Sequence, residues 1–168
     1  MTGENKAEQP AAQAREPQPV VPASVPKGER PAVLVVDDDV KHREILVATL
    51  EGAGYRMLEA GDARSALTLV RQEGPRLVFL DLRLSGSDVT GLQLLAMLKR
   101  ERPDVPVIAY TAYAPLEWQE RARAAGCDGY LVKPVVDLVV QVRAIAQKYL
   151  GRPAEGPRPL GGPPGPLP

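Results

Sequence analysis

Between Ala32 and Tyr149 the chain alternates two patterns. Short uncharged runs rich in Val, Leu and Ile are followed by longer stretches whose apolar residues recur every three or four positions. A short continuous apolar run reads as a strand buried on both faces, and a recurrence of three to four as a helix with one buried stripe. Val33–Val36 is the first such run. Val40–Ala53 follows as a helix, with Ile45, Leu46, Thr49 and Leu50 at helical spacing and Gly52 and Gly54 as stop signals. Tyr55–Glu59 predicts a second strand. Asp62 caps a second helix, Ala63–Gln72, with Ala66, Leu67 and Val70 on its inner face, and Gly74-Pro75 breaks it. Leu77–Leu80 is a third strand. A Ser-, Gly- and Asp-containing loop from Leu82 to Thr90 leads into a helix over Leu92–Arg100, with Leu94, Leu95 and Leu98 inward. Pro103 and Pro106 flank its exit. Val107–Tyr110 is a fourth strand, Leu116–Ala125 a helix stopped by Gly126, and Tyr130–Val132 a fifth strand. The last helix runs from Val136 to Tyr149, with Leu138, Val139, Val142, Ile145 and Ala146 on one stripe. Five strands alternating with five helices predict an α/β fold, a parallel sheet covered on both faces with right-handed crossovers. No repeat appears at a fixed period.

Composition separates this middle from the ends. Of the 18 prolines, six precede position 32, seven follow position 150, and five lie between. The ends carry almost no aliphatic periodicity and cannot bury enough apolar surface to offset chain entropy. Residues 1–30 and 151–168 are therefore expected to be disordered Pro-rich tails, serving as linkers or solubilising ends, around one folded domain at 31–150. Lys plus Arg number 21 and Asp plus Glu 21, so the formal net charge is zero. No basic block points to nucleic acid. No apolar run approaches the roughly 18 residues of a membrane span, and no signal-peptide core opens the chain. The single cysteine, Cys127, allows no internal disulfide and fits a reducing cytoplasm. It reads as a small packing residue, because His42, the one histidine, is remote from it in sequence.

Charge enters the pattern at the strand ends. The first strand runs into Asp37-Asp38-Asp39, the third into Asp81, the fourth into Thr111 and the fifth into Lys133-Pro134. In a parallel sheet these ends share one edge, where open α/β sheets place their ligands. Adjacent carboxylates repel, and a bound cation is the usual reason for grouping them. Taken singly, each residue also has a structural reading. An Asp at a strand end is often a turn or N-cap residue, Thr111 a cap, and a Lys before Pro a solvated side chain. Taken together, the set suggests phosphoryl transfer. Asp81 would be a nucleophile forming an acyl phosphate. Asp37 and Asp38 would hold a hard divalent ion such as Mg²⁺, and Lys133 and Thr111 would each meet a phosphoryl oxygen.

These segments resemble the receiver domain of two-component response regulators. The resemblance rests on Val33-Leu34-Val35-Val36-Asp37-Asp38-Asp39, Leu80-Asp81-Leu82-Arg83-Leu84, Tyr110-Thr111-Ala112 and Gly129-Tyr130-Leu131-Val132-Lys133-Pro134. It covers residues 32–150 and implies a flavodoxin-like sheet with strand order 2-1-3-4-5. It implies Asp81 as phosphoacceptor, with Asp38, Asp81 and the backbone carbonyl of Arg83 as direct ligands of Mg²⁺ (or Mn²⁺) and Asp37 acting through water. It further implies a cis Lys133-Pro134 bond and a switch in which the Thr111 hydroxyl moves toward the phosphoryl group and Tyr130 turns inward. The fourth helix, fifth strand and fifth helix would then change shape. Phosphate would come from a histidine kinase or a histidine phosphotransfer protein. The domain would catalyse only its own phosphorylation and dephosphorylation. A cytoplasmic, single-domain receiver is expected, with its effector in another protein.

The sequence departs from the family after Asp81. Ser85 stands where a proline is usual, and Asp88 is followed by Val89-Thr90 before Gly91, so the loop reads as about two residues longer. Arg83 and Tyr113 occupy the positions where receivers tune dephosphorylation, and both are large. Trp118 on the fourth helix reads as a partly buried aromatic near the switching surface. Two other classes stay open at this point. One is a receiver-like binding module that works without phosphorylation. The other is a haloacid-dehalogenase-like phosphatase, which would use Asp37 and leave Asp81 without a role.

Overall fold

The computed structural model describes residues 30–85 and 88–153. The segments 1–29 and 154–168, expected to be tails, and residues 86–87 of the loop after Asp81 lie outside the described residues. The strands are β1 (Ala32–Val36), β2 (Arg56–Ala60), β3 (Leu77–Leu80), β4 (Val107–Thr111) and β5 (Gly129–Val132). The helices are α1 (Val40–Glu51), α2 (Ala63–Glu73), α3 (Gly91–Glu101), α4 (Leu116–Ala124) and α5 (Leu138–Leu150). All strand pairs are parallel, in the order β2-β1-β3-β4-β5.

Period-two alternation along the three inner strands splits the core in two. Leu34, Val36, Val78, Leu80, Val107 and Ala109 face one side, where Ala66, Leu67 and Val70 of α2, Leu94, Leu95 and Leu98 of α3 and Ala122 of α4 cover them. Val33, Val35, Leu77, Phe79, Ile108 and Tyr110 face the other, under Leu46 and Leu50 of α1 and Val142 and Ala146 of α5. Every residue of β1, β3 and β4 is buried, while the edge strands β2 and β5 are partly exposed. That is why the inner strands read as unbroken apolar runs.

Local chemistry sets the helix ends. Asp62 accepts from the Ser65 amide at 2.9 Å to start α2, and Thr90 with Gln93 forms a capping box on α3. Two helical expectations shift. Ile45 stands 47% exposed, because it lies one position, or about 100°, from Leu46, which faces the sheet, and Val139 stands 46% exposed in the first turn of α5. The last helix starts at Leu138 rather than Val136, since Asp137 takes a left-handed conformation (φ 53°) that the helix cannot continue through. Ordered contacts run past the expected domain end: the Tyr55 hydroxyl donates to the Gly151 carbonyl at 2.9 Å, and Pro153 packs on Gly54.

Gly91, the first residue of α3, has backbone where a side chain would go. A Cβ there would sit 2.2 Å from the Asp81 carbonyl oxygen and 2.5 Å from Leu82 Cα. These atoms cannot swing aside as a flexible side chain can. Gly91→Ala should therefore lower the unfolding free energy by about 1–3 kcal/mol, read by urea denaturation. An unchanged midpoint would show that the α3 start moves freely relative to β3.

Candidate functional site

Strand register brings the polar ends together. Val36 pairs with Leu80, so Asp37 and Asp81 leave neighbouring strands side by side. Thr111 pairs with Val132, which puts Lys133 one step beyond it, its amide donating to the Thr111 carbonyl at 2.9 Å. Asp37, Thr111, Asp81 and Lys133 are all buried, at 1%, 0%, 7% and 9% exposure. Asp38 is half-buried beside them.

The Lys133 ammonium is the hub. It donates to Asp81 Oδ2 at 2.9 Å and to Asp37 Oδ2, and it lies 4.6 Å from the centre of the Tyr110 ring. Burial works against its charge, but the hydrogen bonds to Asp37 and Asp81 outweigh it and hold the ammonium above the ordinary lysine value. The remaining carboxylate oxygens are fixed by backbone. Asp81 Oδ1 accepts from the Arg83 amide at 2.9 Å, Asp37 Oδ1 from the Asp39 amide at 2.9 Å, and Asp38 Oδ2 from the Ser85 amide at 3.1 Å. The Arg43 guanidinium donates to the Asp37 carbonyl at 2.6 Å.

Asp37, Asp38 and Asp81 each offer a carboxylate oxygen within 4.8 Å of the other two. An all-oxygen, acidic donor set of this kind fits a hard divalent cation. The third acid of the run, Asp39, has a different task. It is the N-cap of α1, accepting from the amides of Lys41 and His42 at 2.8 and 3.3 Å, and the His42 amide is the largest of the causes that lower its pKa.

A second set of contacts leads away from the site. The Thr111 hydroxyl accepts from the Tyr113 amide at 3.3 Å, and the Tyr113 carbonyl accepts from the Tyr130 hydroxyl at 2.8 Å. Tyr113 meets Trp118 edge-on, ring centres 5.1 Å apart, and the Arg83 guanidinium lies 5.7 Å over the Tyr113 ring. Tyr130 is half-buried against the core. The Lys133-Pro134 peptide is cis. Cys127 packs half-buried beside β5, its thiol donating to the Gly129 carbonyl at 2.9 Å.

Sequence reasoning missed His42, whose Nδ1 stands 3.1 Å from Lys133 Nζ. It also missed the Asp38–Ser85 contact and the Tyr110 ring beside the ammonium. A lone histidine on a helix carries no spacing signal, and the partners are 91 residues apart.

A family model of the response regulator receiver domain matches residues 33–143. The chain belongs to this family. The receiver is 39% identical over 108 residues to the transcriptional regulatory protein ZraR of Klebsiella oxytoca, covering 64% of this chain and 24% of that protein. The crystal structure of the receiver domain of NtrX from Brucella abortus matches with a TM-score of 0.66 and 34% identity, over 70% of this chain and 97% of that one. A response regulator protein from Burkholderia pseudomallei, solved with a phosphorylated aspartic acid, calcium ion and citrate, matches with a TM-score of 0.62. It is 31% identical over 71% of this chain and 66% of that one. The chain thus spans less than two thirds of the length of the curated relatives it matches here, about a quarter in the case of ZraR. Among the described residues no helix is long and apolar enough to cross a membrane.

Lys133→Met would leave Asp37 and Asp81 facing each other without a counter-charge. In buffer free of divalent cations its unfolding free energy should fall by about 3–5 kcal/mol, read by urea denaturation. A free lysine loses its proton near 10.5, and the folded one above that. The ammonium's contribution is therefore fully present below 10.5 and is lost as pH rises through the higher folded value. The wild-type margin should hold from neutral pH to that point. A margin that vanishes at neutral pH would remove Lys133 from the centre of the site.

Proposed function

We propose that this receiver accepts a phosphoryl group on Asp81 from a histidine kinase or a histidine phosphotransfer protein, and that an effector protein reads the result on α4, β5 and α5. The observation that carries the reading is the setting of Asp81 on the middle strand. An acidic pair lies on one side of it, a buried threonine hydroxyl on the strand at its other side, and a buried ammonium stands against its Oδ2. The phosphorylated aspartic acid and calcium ion of the Burkholderia protein support it by kinship.

In this reading an Asp81 oxygen attacks the donor's phosphorus. The O–P bond forms as the N–P bond to the donor imidazole breaks, and the imidazole leaves with the electron pair. Asp38, Asp81 and the Arg83 carbonyl would hold Mg²⁺ or Mn²⁺, with Asp37 acting through water; when bound, the ion neutralises charge on the phosphoryl oxygens. The chain's own groups do the rest. Lys133 presents fixed positive charge to one phosphoryl oxygen. The Thr111 oxygen already accepts from an amide, so its own hydrogen is free to donate to another. Arg83 and Tyr113, stacked together, restrict the approach of the water that would hydrolyse the product.

A shift of Thr111 toward the phosphoryl group would pull on the Tyr113 amide, and the Tyr113 carbonyl holds the Tyr130 hydroxyl. The site is thereby tied to β5 and to the face it shares with α4 and α5, a population shift between two arrangements. α4 and α5 carry exposed apolar side chains suited to a protein partner, Leu116 at 71% and Val140 at 66%.

Acetyl phosphate with Mg²⁺ should add the mass of one phosphoryl group to the wild type and none to Asp81→Asn, read by intact-protein mass spectrometry. The emission of Trp118, the only tryptophan, should change in step with that modification and stay fixed in Asp81→Asn. No mass gain in the wild type would sink the phosphoacceptor reading and leave a binding module that works without phosphorylation.

A further inference from the structure

We infer that His42 is a positioning residue that aims the Lys133 ammonium at Asp81, accepting its third N–H through Nδ1. The inference rests on the phosphoacceptor reading of Asp81 and concerns how the lysine is held there.

An ammonium has three N–H donors and no acceptor. Around Lys133 Nζ the acceptors are Asp81 Oδ2 at 2.9 Å, Asp37 Oδ2, and His42 Nδ1 at 3.1 Å. The three acceptors use the three donors, and the aromatic face of Tyr110 lies 4.6 Å away. Because Lys133 can only donate, Nδ1 must present its lone pair, and the imidazole proton sits on Nε2. The ring is brought to this point by the first turn of α1. Asp39 caps that turn and binds the His42 amide. The distances from Nδ1 to Asp37 Oδ2 and Asp39 Oδ2, 3.6 and 3.8 Å, are too long for hydrogen bonds, so the ring's close polar contact is with the lysine.

The acceptors differ in what happens to them. Asp81 is the group that would be modified, and Asp37 belongs to the acidic set that would surround a cation. Both carboxylates that hold the ammonium are therefore claimed by the chemistry, and the imidazole is not. His42 keeps one N–H satisfied throughout, so the lysine neither withdraws nor recruits water when the carboxylates change partners. A buried donor left without an acceptor carries the full cost of its desolvation, and here that cost would appear as a misdirected charge.

Two substitutions separate acceptor from bulk. His42→Leu removes the acceptor and keeps the volume. His42→Asn places an amide oxygen near the position of Nδ1. With acetyl phosphate and Mg²⁺, His42→Leu should take up the phosphoryl group about three- to tenfold more slowly than the wild type, the range set by one lost hydrogen bond. His42→Asn should recover to within about twofold of the wild type. The ¹⁵N spectrum of the unmodified wild type adds an independent reading, and its one histidine makes the imidazole signals unambiguous. Nδ1 should appear unprotonated and Nε2 protonated. Wild-type kinetics in His42→Leu, no recovery in His42→Asn, or a proton on Nδ1 would each overturn the inference. If the wild type itself takes up no phosphoryl group, the reading of Asp81 fails, and the imidazole spectrum still decides whether His42 holds Lys133.

Discussion

Asp37 and Asp81 are two carboxylates buried on adjacent strands, with Lys133 between them. Two such groups cannot both stay charged away from water unless something compensates. The compensation comes from one ammonium that touches both and from three backbone amides that fix the oxygens of Asp37, Asp81 and Asp38. The lysine is drawn out of solvent by that same attraction. The rest of the site is built around this balance, which explains why it sits at a strand end rather than in the middle of the sheet. Only at the end does the backbone leave the ladder and turn its amides toward side chains.

The strand order makes the balance possible. In the order β2-β1-β3-β4-β5, chain direction across the sheet reverses between β1 and β3. Helices leave toward opposite faces there, opening the crevice in which α/β sheets hold ligands. Asp37 and Asp38 follow β1, and Asp81 follows β3, so the acidic group lies at that crevice. The opposite charge comes from β5, two strands beyond β3, and only a side chain as long as lysine spans the gap. Thr111 ends the strand between them. The division of labour follows from distance: short carboxylates near the crevice, a hydroxyl beside them, and a long ammonium from the edge.

Much of this was legible in the chain because burial on both faces leaves unbroken apolar runs. The apolar runs mark β1, β3 and β4 to within one residue at each end, and the groups following those runs are the ones that meet in space. What the sequence hid depends on rotation and on tertiary distance. Ile45 and Val139 have the composition of core residues, but Ile45 stands at the margin of its stripe and Val139 in the first turn of its helix. The start of α5 depends on the left-handed Asp137, which no pattern announces. The role of Asp39 as a cap was masked by the two acids before it, which invited one explanation for all three. His42 was invisible because its partner comes from the far end of the domain.

In the proposed reading, the same geometry would let a small event at Asp81 reach a surface. Rigid transmission through the sheet would be a poor route, since β3 and β4 are buried on both faces and yield little. The compliant path would lie in the β4–α4 loop. Thr111 is buried, its hydroxyl accepts from the Tyr113 amide, and Tyr113 is 37% exposed. Through its carbonyl and its ring, Tyr113 then holds Tyr130 and Trp118. The helix after that loop is weakly anchored: α4 has no side-chain cap at its start and one fully buried residue, Ala122. A loop with one end fixed in the site and the other leading into a lightly held helix would move that helix if the fixed end were pulled. In that reading the strength of the core and the looseness of α4 are two parts of one arrangement: the first would hold the carboxylates still and the second would let their state be read.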